Sequence, residues 1–132
     1  MTTRKPWTMQ SLHKRMLKLV QHKEVSIKFS KLMNKSADVV WDDIFPPTNI
    51  QIRIDKNSFS TESNYIAAVI HEVLHVILFE IFYRYMDDDV EEIVILALES
   101  AFETYINKKP SRLKAWQKVI EDKLKEQEEK EL

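Results

Sequence analysis

The sequence predicts an α+β fold, with a small antiparallel or mixed sheet packed on helices. Three observations carry this. "IQIRID" (50–55) alternates strictly, placing Ile50, Ile52 and Ile54 on one face, which is a strand pattern. Helix-length apolar segments lie on both sides of the strand region. Glycine is absent, where about nine would be average for this length, and a chain without it leans towards helix.

The elements follow in order. Met9, Leu12, Met16, Leu19 and Val20 recur at helical spacing among Lys14, Arg15, Lys18 and His22, so residues 1–23 contain a basic amphipathic helix. A small sheet spans 24–55. "EVSIKFS" (24–30) alternates, "ADVVWDD" (37–43) is a weaker strand, and Pro46 and Pro47 mark the loop before "IQIRID". Turns that need positive φ must use Asn or Asp, as in "NKS" (34–36) and "YMDDD" (85–89). Ser58 or Ser60 can cap a long apolar helix from Glu62 to Tyr83, and Asp89 can cap the next, from Val90 to Asn107. Pro110 opens a last helix to about Leu124, with Leu113, Trp116, Val119 and Ile120 inward, and the charged tail frays. With no repeat or linker, residues 1–132 read as one domain.

Composition narrows the chemistry. No cysteine means no disulfide, thiolate metal site or cysteine nucleophile, and no glycine means no P-loop or dinucleotide fingerprint. No apolar segment reaches the ~18–20 uninterrupted residues of a membrane span. The N-terminus "MTTRKPWTMQ" has no apolar signal core, so the expected location is cytoplasmic. The net charge of −1 hides an asymmetry. Residues 1–36 carry nine Lys/Arg and one acid, and residues 37–132 carry eleven and twenty, so the two parts bear +8 and −9. The basic residues between 4 and 35 can meet nucleic acid or an acidic partner, or the acidic rest of the same chain.

"AAVIHEVLHVILFE" (67–80) sets His71, Glu72 and His75 in an otherwise apolar run. Buried ionisable groups are costly unless satisfied. "HEVLH" is the pattern HExxH, and on a helix positions i and i+4 share a face. His71 and His75 can therefore present two imidazole nitrogens to one Zn²⁺ ion. Glu72, rotated by about 100°, can take a proton from a water there. A lone histidine in such a run would be an ordinary core residue; two of them around a glutamate form a metal motif.

A third ligand is needed. His13 and His22 lie far upstream, and Leu78 and Ile81 stand where the longer HExxHxxGxxH pattern needs Gly and His. A carboxylate of the next helix remains. Val90, Val94, Ala97, Leu98, Ala101, Phe102 and Tyr105 form an apolar stripe at 100° per residue. Glu91 falls inside it and is the first choice, whereas Glu92, Glu99 and Glu103 fall on its polar flank. Glu92 is the alternative. Glu99 follows, because an antiparallel return from a helix running to Tyr85 reaches the level of His75 only about ten residues after the turn.

The segment "IQIRIDKNSFSTESNYIAAVIHEVLHVILFE … DDDVEEIVILALESAFETYINKKP" resembles small zincin-type metallopeptidase-like proteins of bacteriophages and prophages. The likeness covers about residues 49–110; HExxH is its specific part and "VEEIV" its weaker one. It implies a minimal zincin core of the gluzincin kind, with zinc on the two histidines and a downstream glutamate. It also implies a peptide or protein substrate, Glu72 as general base, "IQIRID" as the edge strand beside the cleft, and a host-cytoplasm location if the chain is phage-encoded. Tyr83, Arg84, Tyr85 and Tyr105 are conceivable oxyanion donors. The competing expectation is a zincin-fold binding module that contacts nucleic acid or a host protein through its basic helix. The paired acids Asp42 and Asp43 read as turn formers rather than an acid/base pair.

Overall fold

The computed structural model describes residues 8–42, 48–82 and 87–131. Helix α1 (Met9–Gln21) starts at Thr8, whose side chain accepts from the Ser11 amide while Ser11 Oγ accepts from the Thr8 amide, a capping box built with serine. Leu12, His13, Met16 and Val20 are its buried face. Strands β1 (Val25–Phe29), β2 (Ala37–Val40) and β3 (Ile50–Ile54) form one mixed sheet in the order β1-β3-β2. β1 pairs parallel to β3, with Ile27 opposite Ile52; β2 pairs antiparallel, with Val39 also opposite Ile52.

The strand expected at the edge is therefore the centre. Ile50, Ile52 and Ile54 are all buried, and both backbone edges of β3 are paired. β2 is the edge strand that packs beside the HExxH helix. It is held to β3 by the Asp38 carboxylate, which accepts two bonds from the Arg53 guanidinium, Nε to Oδ1 at 2.7 Å and Nη2 to Oδ2. The same guanidinium holds the Asp38 carboxyl below its ordinary range. β2 ends at Val40, and the Asp42 carboxylate accepts from the Thr48 hydroxyl and the Asn49 side-chain Nδ2. Positive φ falls on asparagines, Asn34 at 60° and Asn49 at 52°.

Helix α2 (Glu62–Phe82) begins after Thr61, beyond the two serines expected to cap it; Ser60 Oγ instead accepts from the Asn64 side chain. Ile66, Val69, Ile70, Val73, Leu74, Val76, Ile77 and Leu78 are all buried, so the helix is apolar around most of its girth and forms the spine of the core. Helix α3 (Asp88–Asn107) is capped by Asp87, not Asp89: the Asp87 carboxylate accepts from the Val90 amide at 2.9 Å. Asp87→Ala is expected to cost about 1 kcal/mol, read in thermal unfolding as a fall of about 3–5 °C.

The inward face of α3 is turned from the expected stripe. Ile95, Phe102 and Ile106 are buried, with Glu91 and Glu99 half-buried beside them, whereas Val90, Ala97 and Ala101 are exposed. Ile93 and Leu96 are also exposed, so apolar residues ring the first half of this helix and its phase is not written in its hydropathy. Helix α4 (Pro110–Glu131) opens on its proline and runs well past Leu124. Its Lys, Glu and Gln tail consists of strong helix formers, with a Gln127–Glu131 hydrogen bond one turn apart.

Two contacts seat α1. Lys123 of α4 is 4% exposed, and its ammonium donates to the His22 carbonyl at 2.7 Å, where the helix dipole of α1 is negative. His13 sits among Phe102, Tyr105 and Trp116, with ring centroids 5.6–6.2 Å away. Burial, aided by Arg112, pushes its pKa down; its aromatic surroundings make it a core residue. No helix among the described residues is long and apolar enough to cross a membrane.

Candidate metal centre

The sheet and α3 both flank the middle of α2, and there the two histidines of HExxH find partners. α2 and α3 pair so that residues later in one meet residues earlier in the other. His75 Nδ1 lies 2.8 Å from Glu91 Oε1, and His71 Nδ1, one turn earlier, lies 2.7 Å from Glu99 Oε2. Glu92 lies between these levels. Its Oε1 is 3.2 Å from His71 Nε2, and its Oε2 is 3.5 Å from His75 Nε2.

These contacts sort the three glutamates by role. Glu91 and Glu99 each bind the outer ring nitrogen of one histidine. Glu92, and not the expected first choice Glu91, groups with His71 and His75, the donor atoms lying within 4.8 Å of one another. The preference for Glu91 rested on its facing inward, and it does; its reach ends at Nδ1 of His75. Glu103 contacts neither histidine. Tyr105 belongs to the aromatic cluster around His13, and Tyr83, Arg84, Tyr85 and Asp43 lie outside the described residues.

The arrangement could hold a cation. If each Nδ1 carries the proton shared with its glutamate, each Nε2 turns a lone pair towards the Glu92 carboxylate. Lone pair would then face anionic oxygen at 3.2 and 3.5 Å, which is repulsive unless protons or a cation stand between them. Two protons would make two imidazolium rings whose centroids are only 5.1 Å apart. One divalent ion removes both conflicts. Donors 2.0–2.1 Å from a tetrahedral ion stand about 3.3 Å from each other, close to the two separations here. Carboxylates on the outer nitrogens are also the usual supports of metal-ligating histidines. His71, His75 and Glu92 can thus hold a metal ion.

Glu72 differs from these. It is 8% exposed and makes none of the ion pairs above. Burial pushes its carboxyl above the ordinary range, against the pull of His75 and His71, while Asp38 and Glu92 add to the rise. For His71, burial pulls the pKa down, but the Glu99 hydrogen bond and the charges of Glu99, Glu72 and Glu92 outweigh it, so the net direction is up. A surface cleft of about 340 Å³ opens beside the pair, lined by His71, Glu72, Glu99, Ala67, Ala68 and, from the start of β2, Ala37. Sequence reasoning missed the electrostatic reach of Asp38 to Glu72 and the support roles of Glu91 and Glu99. The first depends on sheet order; the second on the rotation of α3.

No protein-family model matches the chain, and none of the curated proteins or solved structures searched matches it.

Proposed function

We propose that this chain is a zinc-dependent metallopeptidase of the zincin type. One observation carries the reading: two imidazole Nε2 atoms and one carboxylate converge, while both Nδ1 atoms are tied to further carboxylates. His71, His75 and Glu92 would hold the ion, a His₂Glu set with room for a water. Bound zinc supplies Lewis-acid activation of that water and of a substrate carbonyl.

The chain's own residues do the rest. Glu72 accepts the proton of the attacking water and returns it to the leaving amine. A structural metal site has no use for a buried glutamate in that position. Glu99 and Glu91 keep each imidazole in the tautomer that leaves Nε2 free. The edge of β2 that pairs with no other strand among the described residues, beside the cleft, offers backbone groups to an extended peptide. The HExxH pattern of residues 71–75 supports the same reading, and a phage origin with a host-cytoplasm setting is part of the proposal.

Glu72→Gln tests it. The variant is expected to keep its zinc and lose at least about 100-fold in peptide hydrolysis, the usual scale for a general base. Undiminished hydrolysis by the variant would contradict the reading.

One observation favours a second reading, a binding module. Lys14, Lys18, Lys23 and Lys31 are exposed and make no ion pair among the described residues. From the basic N-terminal part, Arg15 pairs with Glu80 and Lys35 with Asp38. Nucleic-acid binding that weakens steeply with salt would support this alternative.

A further inference from the structure

A second hollow adjoins the cleft at the candidate metal centre. This pocket, about 290 Å³, lies between α2 and α3 and is closed at its far end by the first turn of α4. It shares Asn64, Ala67 and Glu99 with the cleft, so the two adjoin. Its floor is apolar: Ile70, Phe102 and Ile106 are buried, and Leu113 completes the wall. Its rim is acidic, with Glu99 and Glu103 one turn apart on α3.

That combination selects a guest. Glu99 uses Oε2 on His71 Nδ1, and Glu103 has no ion pair or hydrogen bond among the described residues. Like charges at i and i+4 repel, and a cation between them relieves the repulsion. The basic side chain that α4 brings to this end of α3 is already engaged: Arg112 donates to the Tyr105 carbonyl at 2.6 Å and stacks 3.5 Å over the Tyr105 ring. A long side chain with an apolar stem and a cationic head matches an apolar floor under an acidic rim. The volume is below that of typical drug-sized ligand sites, which suits one side chain.

We propose that this pocket is a subsite for a lysine or arginine side chain of an extended peptide lying in the cleft. The inference rests on the peptidase reading, and the geometry places the guest near the reacting bond. Ala67, where cleft and pocket join, precedes His71 by about one helical turn, or 5–6 Å, less than two residues of extended chain.

The test separates the two readings. Zinc-loaded, full-length Glu72→Gln protein is titrated with acetylated, amidated peptides Ala-Ala-X-Ala-Ala, where X is Lys, Arg, Leu or Glu. Binding is followed by backbone amide NMR shifts, and cleavage of the same peptides is measured with the unsubstituted protein. The expected result is at least about tenfold tighter binding for Lys and Arg than for Leu or Glu, with shifts centred on Ile70, Phe102 and Ile106. Glu103→Gln, an exposed change, should reduce that preference several-fold. Tightest binding for Leu, no dependence on X, no binding at millimolar peptide, or shifts elsewhere would each overturn the subsite. A Lys/Arg preference without cleavage would keep the subsite and refute the peptidase. Cleavage without preference would do the reverse.

Discussion

Glu92→Gln is expected to weaken zinc binding by more than about 100-fold, while Glu91→Gln and Glu99→Gln each cost about 10–100-fold, the range for a lost outer-sphere partner. The order follows from atoms. Glu92 faces Nε2 of both histidines, whereas Glu91 and Glu99 reach only Nδ1 of one each. Replacing Glu92 removes an anionic donor from the ion. Replacing Glu99 leaves three donors but frees the His71 ring to turn or to change tautomer. Competition titrations with a zinc indicator give the three constants directly. Equal losses for Glu91→Gln and Glu92→Gln would contradict the sorting of roles, and a larger loss for Glu91→Gln would restore the assignment suggested by its inward position.

Trp116→Ala is expected to destabilise the fold by about 3–5 kcal/mol, the scale for truncating a fully buried aromatic. Trp116 is 0% exposed and packs against Phe102 and His13, which joins α1, α3 and α4 in one cluster. Phe102 lies one helical turn from Glu99, so the cluster also sets the rotation of α3 on which the metal centre depends. Trp116→Phe should cost much less. It keeps most of the contact area and removes a buried indole N–H that has no hydrogen-bond partner. Urea unfolding of the three proteins, with matched slopes, decides this. Similar stability of Trp116→Ala and the unsubstituted protein would mean that the cluster does not anchor α3.

The features legible in the sequence are local ones. HExxH specifies its own geometry, because i and i+4 share a face on any helix, so the shared face of His71 and His75 could be read without tertiary information. The strict alternation of 50–55 predicts a strand for the same reason, and the proline that opens α4 marks its start. The order helix, strands, helices gave the α+β class.

What failed to read out depends on how elements meet. Choosing among Glu91, Glu92 and Glu99 needs the rotation of α3, and a helix with Val90, Ile93, Val94, Ile95 and Leu96 in near succession has no single apolar face to announce it. Each of the three glutamates contacts at least one of the two histidines, Glu91 and Glu99 at one Nδ1 each and Glu92 at both Nε2 atoms. Alternation in 50–55 shows a face to the core but not which strands flank it, hence the reversed placing of centre and edge. Lys123 looked like tail charge because its partner, the His22 carbonyl, is about a hundred residues away in sequence. Asp87 rather than Asp89 caps α3 because three consecutive aspartates offer the same cap chemistry, and only the approach of the chain selects one.

The proposed function requires His71, His75 and Glu92 to close around one metal ion. Its most direct test is the metal content of the purified, untagged, chelator-free protein beside that of the His71→Ala/His75→Ala variant. About one zinc per chain, lost in the variant while its helical circular dichroism persists, is the predicted result. A metal-free protein whose melting temperature does not move on adding zinc would contradict it.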